Sequence, residues 1–138
     1  MKLVIFICFF VLTISCSKTK KEIFKEQLQM VDTKIDFEKY DYIVIIPNEG
    51  CTDCITKASD YFIKDIENLK RTIVIYTSIS DNKIFKLKLP KSYLNHRNVF
   101  LDKSGFLENF EISSVYPQIL KMEHGKIVFI KNFDNQMF

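Results

Sequence analysis

Two apolar runs separated by a helical pattern constrain the fold of this chain more than any other feature. The runs "YIVIIP" (42–47) and "TIVIYTS" (72–78) are rich in β-branched residues and do not alternate with polar ones, which is typical of strands buried on both faces. Between them, from Thr52 to Leu69, apolar residues recur at helical spacing. Short connections make this a βαβ unit, so the two strands are predicted to be parallel.

Two cysteines, Cys51 and Cys54, stand where the predicted helix begins. Their C-x-x-C spacing suits a redox centre, half of a metal site or a structural disulfide. At a helix N-terminus a thiolate faces unpaired N–H groups and the positive end of the helix. Such sites can lower a cysteine pKa from about 8.5 to between roughly 3.5 and 7.5. The position therefore suits thiol–disulfide exchange, and the other two interpretations stay open.

The rest of the sequence predicts elements on either side of this unit. Apolar residues near helical spacing predict a short helix over 23–31, which we expect to cover one face of the sheet. A second helix is predicted after Ser80 or Asp81, ending before Pro90, and "NVFLD" predicts a short strand. His124-Gly125 predicts the turn of a β-hairpin. At 138 residues the chain is expected to be one α/β domain.

The segment "MKLVIFICFFVLTISC" has the pattern of an export signal. Lys2 precedes an apolar stretch over 3–14, which is shorter than the about 20 residues of a membrane span. Because it ends on Ser15 and Cys16, it resembles a bacterial lipoprotein signal, where cleavage leaves a lipid-carrying cysteine at the N-terminus. The resemblance implies a signal peptide over 1–15, a lipidated Cys16 with a tether over 16–21, and a domain over 22–138. An uncleaved anchor is the alternative.

Both hypotheses place the protein in the bacterial cell envelope, held to a membrane and facing the periplasm or the cell exterior. If Cys8 leaves with the signal and Cys16 carries lipid, Cys51 and Cys54 are the two of four cysteines that remain for a disulfide. The net charge of +3 is small and the lysines are dispersed, so no nucleic-acid partner is expected.

The order of the segments resembles the thioredoxin-like superfamily, in particular membrane-tethered, exported thiol–disulfide oxidoreductases of bacteria. The matching stretches are "IVIIPNEGCTDC", "FLDKSGFLENFEISSVYP" and "VYPQILKMEHGKIVFI". The resemblance implies a thioredoxin-like fold, with a central mixed sheet flanked by helices. It implies Cys51 as the attacking cysteine and Cys54 as the resolving one. Pro117 would be a cis-proline that presents the backbone of Tyr116 to a bound thiol substrate. Protein thiols or disulfides of the envelope would be the partners, with no cofactor.

Several residues depart from that family's pattern. Gly50 replaces an aromatic residue before the first cysteine, and Thr52-Asp53 replaces Gly-Pro between the cysteines. Ile45 stands near the place of a buried acidic residue. The usual C-terminal helix is missing, since only "DNQMF" follows Phe133. We expect these departures to affect catalytic turnover and the choice of partner more than the fold.

The charges around the cysteines predict the direction of the redox chemistry. Glu49 and Asp53 disfavour a thiolate at Cys51 by like-charge repulsion, which Lys57 on the next turn offsets in part. A less stabilised reduced form means a more reducing couple. The sequence therefore predicts a reductase or a stable disulfide rather than a strong oxidant.

Two alternatives to catalysis remain at the level of sequence. A zinc site would need Cys51, Cys54, His96 and His124 together, but their spacing matches no common zinc pattern, and no metal is expected. The second alternative is a redox-inactive thioredoxin-like lipoprotein, which binds proteins and keeps a structural disulfide.

Overall fold

The computed structural model describes residues 19–31, 35–107 and 115–134. The signal peptide over 1–15, Cys16 and the next two residues of the tether lie outside these residues, as do the segment 108–114 and the last four residues. The proposed absence of a C-terminal helix therefore falls partly outside the described chain. None of the helices in the described ranges is long and apolar enough to cross a membrane.

A mixed sheet of five strands forms the centre of the domain. The strands are β1 (Tyr42–Pro47), β2 (Thr72–Thr77), β3 (Val99–Leu101), β4 (Gln118–Glu123) and β5 (Lys126–Asn132). Their order across the sheet is β3-β2-β1-β4-β5. β1, β2 and β3 are mutually parallel, whereas β4 is antiparallel to β1 and β5 is antiparallel to β4. The predicted parallel pairing of β1 and β2 is confirmed.

Helices cover both faces of this sheet. They are α1 (Lys20–Val31), α2 (Thr52–Asp65), α3 (Asn82–Lys88) and α4 (Lys91–Leu94), with a 3-10 turn at Phe37–Lys39. Side chains of successive strand residues point to opposite faces, so Ile43 and Ile45 pack on the α1 side while Val44 and Ile46 pack on the side of the other helices. Burial on both faces explains why the two apolar runs show no alternation.

Local signals at the helix and strand ends explain where these elements begin and turn. Thr19 and Glu22 form a capping box, in which the Thr19 N–H donates to the Glu22 carboxylate at 2.8 Å and the Glu22 N–H donates to Thr19 Oγ1 at 3.3 Å. The Asp81 carboxylate accepts from the N–H groups of Lys83 and Ile84 at the start of α3. The predicted N-cap is therefore confirmed, and α1 begins at Lys20, inside the expected tether.

The helix predicted over 23–31 covers a sheet face as expected. Phe24 and Leu28 of α1 are each only 1% exposed and pack in the same cluster as Ile43, Ile75 and Leu120. Burying two large apolar side chains of this kind stabilises a domain by about 1.5–3 kcal/mol each. The N-terminal helix is thus part of the core.

The predicted hairpin is also confirmed. His124 and Gly125 connect β4 to β5, and both have positive φ angles, of 51° and 69°. Two consecutive left-handed residues are what a type I′ turn requires. The hairpin places β4 against β1, with Pro117 immediately before β4.

Candidate functional site

A disulfide joins Cys51 and Cys54, whose Cα atoms are 5.3 Å apart. β1 ends at Pro47, three residues turn the chain, and Cys51 is the N-cap residue of α2. The Ile55 N–H donates to the carbonyl of Cys51 at 2.9 Å, whereas no side chain caps the helix. Both cysteines are half-buried. The pair therefore lies on the first turn of a helix at the carboxyl end of a central strand, as the sequence predicts.

The loop before the cysteines lies directly against the segment that precedes β4. The Cys51 N–H donates to the carbonyl of Val115 at 2.9 Å. Gly50 has a φ of +138°, and a Cβ at this position would lie 2.3 Å from the Val115 oxygen. Only glycine fits both the backbone conformation and the close approach. The departure noted at Gly50 in the sequence thus has a structural reason.

One detail expected around the proline is wrong. No cis peptide bond occurs among the described residues, so the bond before Pro117 is trans. The backbone group that meets Cys51 is the carbonyl of Val115, and Tyr116 follows it. Pro117 itself is buried, and its carbonyl accepts from the Phe133 N–H at 2.8 Å. The cysteine loop and the segment before β4 do lie together, as expected. The contact is made by the carbonyl of Val115, a residue that no pattern in the sequence indicated.

Exposed apolar side chains border the disulfide on this side. Val115 and Tyr116 are 57% and 45% exposed. They line a small cavity of about 110 Å³ together with Phe24, Ile45, Pro47, Glu49, Thr77, Ser78, Leu107 and Gln118. Within the described residues, the buried side-chain oxygen of Gln118 has no hydrogen-bond partner. The cavity is thus a recess with both apolar and polar lining, next to the loop that leads into Cys51.

A larger cleft of about 400 Å³ lies on the other side of the cysteine loop, between α2 and α3. Ser59 and Tyr76 lie in its lining, and the Tyr76 hydroxyl donates to Ser59 Oγ at 3.3 Å. Tyr76 and Tyr93 also share a hydroxyl hydrogen bond of 3.2 Å. Burial raises the pKa of both tyrosines, so the two hydroxyls stay protonated at neutral pH. They serve as neutral hydrogen-bonding groups rather than as bases.

The acidic residues near the cysteines are exposed, unlike the buried acid of the superfamily that the sequence resembles. Glu49 and Asp53 are exposed, so water screens their charges. Ile45, which stands near the place of the superfamily's buried acid, is itself buried in the core.

The buried acid of the described chain is Asp102, which sequence reasoning did not identify. Its carboxylate accepts from Leu107 N at 2.8 Å and from two other donors, Phe106 N and Thr77 Oγ1. It closes the turn after β3.

The two histidines make contacts in other parts of the fold. His96 Nδ1 accepts from the Asn98 N–H at 3.2 Å, and its Nε2 is 3.7 Å from a Glu67 oxygen. His124 occupies the hairpin turn. In the described ranges, no three Cys, His, Asp or Glu side chains form a group that could hold a metal ion. With both cysteine sulfurs bonded to each other, the four residues of the zinc alternative do not form a site.

No protein-family model, curated protein or solved structure matches this chain.

Proposed function

We propose that this protein is an exported, membrane-anchored thiol–disulfide oxidoreductase in which Cys51 is the nucleophile and Cys54 the resolving cysteine. The observation that carries the proposal is the half-buried Cys51–Cys54 disulfide on the first turn of α2. In the reduced protein the sulfur of Cys51 would lie beside unpaired helix N–H groups, which stabilise a thiolate.

The arrangement of the sheet supports a thioredoxin-like assignment. β1 lies between a parallel and an antiparallel neighbour, and the cysteine pair follows it. The antiparallel hairpin begins just after Pro117 and brings the segment 115–117 to the cysteine loop. Both features agree with the stretches by which the sequence resembles the superfamily.

The proposed reaction begins with the reduced pair. The Cys51 thiolate attacks one sulfur of a substrate disulfide, a mixed disulfide forms, and the other substrate sulfur leaves as a thiolate that takes up a proton. The Cys54 thiol then loses its proton and attacks Cys51 Sγ, which releases the second substrate thiol. Two electrons pass to the substrate, and the Cys51–Cys54 disulfide is the product. A dithiol protein of the envelope would reduce it again.

The reducing direction is supported by the local charges. Glu49 and Asp53 flank Cys51 in the sequence, and both act against the thiolate, although their exposure limits the effect. A weakly stabilised thiolate makes the disulfide harder to reduce, so the couple is expected to be more reducing than a strong periplasmic oxidant at about −120 mV.

A second candidate function rests on the exposed apolar side chains of Val115 and Tyr116. They could bind another protein beside a disulfide that never opens. In that case the protein would be a redox-inactive lipoprotein with a protein-binding role, and the disulfide would fix the start of α2.

A trapping experiment separates the two functions. The full chain is expressed with Cys54→Ser, so that a mixed disulfide at Cys51 cannot be resolved, and its adducts are identified on non-reducing gels. Cys51→Ser is the matched control, because it retains one thiol but lacks the proposed nucleophile. We expect envelope proteins bound through Cys51 and none in the control.

The parent protein, with both cysteines, is tested for insulin reduction, and the potential of its Cys51–Cys54 disulfide is measured in glutathione buffers. We expect turnover and a potential well below about −120 mV. Absence of both trapped proteins and turnover would favour the binding role, and a potential near that of the strong oxidant would contradict the proposed direction.

A further inference from the structure

A basic and apolar groove lies at the free edge of β3, away from the disulfide. Its volume is about 480 Å³. We call it the β3-edge patch and define it by Lys86, Leu87, Lys91, Leu94, Phe100 and Lys103. β3 has only β2 as a neighbour in the sheet. The patch is thus formed by α3, α4 and the outermost strand.

The charge of this region is one-sided. Residues 82–103 contain six of the 20 basic residues of the chain but only one of its 17 acidic residues. That acid, Asp102, is buried and accepts hydrogen bonds from the turn that follows it. Within the described part of the chain, no carboxylate forms an ion pair with Lys86, Lys91 or Lys103. Within the described ranges, the patch therefore presents cationic groups that no carboxylate neutralises.

Large apolar side chains are exposed among these lysines. Leu87 is 85% exposed and Ile84 is 58% exposed, on the side of α3 away from the buried Phe85. Lysines at a sheet edge serve to prevent pairing with another chain. That role explains the charge but not Leu87, because an exposed leucine at the same edge favours association. An occupant that is both anionic and apolar would contact the lysines and the exposed apolar side chains together.

We propose that the β3-edge patch binds the surface of an anionic phospholipid bilayer. Lipid phosphates would pair with the ammonium groups of Lys86, Lys91 and Lys103, while Leu87 and Ile84 would enter the boundary between headgroups and acyl chains. The lysine stems can lie along apolar surface with their ends in the phosphate layer. An acidic protein would satisfy the charges, but it offers no general reason for leucine at the centre of a lysine cluster. The inference rests on the membrane attachment in the proposed function.

The patch would give the protein a second attachment and so a fixed orientation. The N-terminal helix begins near β5, where Lys21 Nζ donates to the Val128 carbonyl at 2.9 Å. β5 and β3 are the two edges of the sheet, about 19 Å apart at four strand spacings. Attachment at both edges would stop the domain from rotating on its tether. None of the patch residues lines either cavity beside the disulfide.

Lysine labelling on vesicles tests the proposal. The full chain is reconstituted in vesicles of phosphatidylcholine, or of equal parts phosphatidylcholine and phosphatidylglycerol, and treated with an acetylating reagent. Acetylation at each lysine is followed by mass spectrometry. In the anionic vesicles we expect at least fivefold slower labelling of Lys86, Lys91 and Lys103, the factor for a favourable contact of about one lysine with anionic lipid. The exposed lysines Lys57, Lys64 and Lys126 are internal controls and should not change.

Two variants sharpen the result. Leu87→Ser should reduce the protection of the three patch lysines while leaving their charges in place, and raising the salt concentration should also reduce it. The triple change of Lys57, Lys64 and Lys126 to Gln is the matched control and should leave the protection intact. Equal labelling in both vesicles, or equal protection of the control lysines, would overturn the proposal. Slow labelling of the three patch lysines in neutral vesicles would also overturn the proposal, since it would indicate contact with another protein copy or closeness to the membrane without binding to anionic lipid.

The outcome is separable from the redox proposal. Insulin reduction is measured in the same vesicles with the parent and with the variant in which Lys86, Lys91 and Lys103 are changed to Gln, and we expect equal turnover in the two proteins. A parent that turns over disulfides fully but shows no lipid-dependent protection of these lysines would refute the bilayer contact and leave the redox proposal standing. Protection in a Cys51→Ser variant would show that the patch binds lipid whether or not the cysteines react.

Discussion

The two ends of the sheet are held together in different ways. At the carboxyl end of β1, a backbone contact from Cys51 to Val115 and a glycine without room for a Cβ join the cysteine loop to the segment before β4. At the amino end, the Asp41 N–H donates to the Arg71 carbonyl at 2.8 Å, and a side-chain pair adds to this backbone contact: Arg71 donates to both carboxylate oxygens of Asp41, at 2.6 and 2.7 Å. The exposed side-chain pair can be changed without moving the backbone, whereas the loop at the other end has no room for a side chain at Gly50.

The difference matters for the proposed chemistry. A disulfide that opens and closes needs its first cysteine held in one position while a partner approaches. The Val115 carbonyl provides such a fixed point for the Cys51 backbone. The exposed side chains of Val115 and Tyr116 lie at the same end, where a protein substrate could contact them.

The largest effects are expected from two positions in α1 that lie beneath opposite ends of the sheet. Phe24 lines the cavity beside Val115, whereas Leu28 lines a cavity with Met122 and Gly125 at the amino end. Phe24→Ala should lower the free energy of unfolding by about 3–5 kcal/mol and Leu28→Ala by about 2–5 kcal/mol. The rate at which dithiothreitol reduces the disulfide should rise only in Phe24→Ala, since its cavity loosens the Val115 segment.

Chemical denaturation measures the free energy of unfolding of each variant, and thiol labelling measures the rate at which its disulfide is reduced. An equal change in reduction rate for Phe24→Ala and Leu28→Ala would remove the distinction between the two ends. Losses below about 1 kcal/mol would show that α1 is not part of the core.

The next largest effect is the difference in stability between alanine substitutions at Gly50 and Gly125, which lie at opposite ends of the sheet. Gly50→Ala should cost roughly 1–3 kcal/mol for its backbone conformation, and more because the new Cβ meets a backbone carbonyl at 2.3 Å. Gly125→Ala is the matched control, where the nearest atom, at 2.8 Å, belongs to the Glu38 side chain and can move. Its cost should be about 1–2 kcal/mol. The glycines should also differ in function, with insulin reduction lowered in Gly50→Ala alone.

Thermal unfolding gives the stabilities of both variants. If Gly50→Ala were no more destabilised than Gly125→Ala, the close contact with Val115 would not exist in solution.

The smallest effect concerns the Asp41–Arg71 pair. The hydrogen bond from Arg71 lowers the pKa of Asp41 below its ordinary value of 3.8. The stability from this pair is therefore present above that value and is lost as the pH falls through the lowered pKa. Because both side chains are largely exposed, the contribution is small. Asp41→Asn should lower Tm slightly at neutral pH, and the difference from the parent should vanish in strong acid.

Disulfide turnover at neutral pH should be the same in the parent and in Asp41→Asn, since the pair lies at the other end of the strands. A pH-independent Tm difference would show that Asp41 acts through packing or neutral hydrogen bonds rather than through its charge.

Most of the secondary structure could be predicted because its signals are local. The apolar runs gave β1 and β2, Asp81 marked the start of α3, and His124-Gly125 marked the hairpin turn. Each depends on residues close in sequence. The position of Cys51 and Cys54 on the first turn of a helix followed in the same way. Their disulfide was expected from the cysteine count, which depended on the lipoprotein resemblance.

The contacts of the site could not be predicted in the same way. The acceptor for the Cys51 N–H is 64 residues later in the chain, at Val115, and an apolar residue there carries no signal of its backbone role. Gly50 could be seen as unusual, but its reason lies in the position of that carbonyl. The trans bond before Pro117 differs from the expectation because the family resemblance, rather than a local rule, suggested cis. Asp102 was overlooked, since its role depends on the turn that folds over it.

By itself, the sequence determined where most of the strands and helices form and that two cysteines begin a helix, whereas the short helix α4 carried no such signal. Periodicity and capping are properties of neighbouring residues, so they can be recognised in the sequence before the fold is known. Only the tertiary structure decided that Val115 fixes the cysteine loop and that lysines from separate segments line one groove with Leu87 at the β3 edge. These features join residues far apart in the chain, and their energies arise from burial and charge that exist only after the strands have paired.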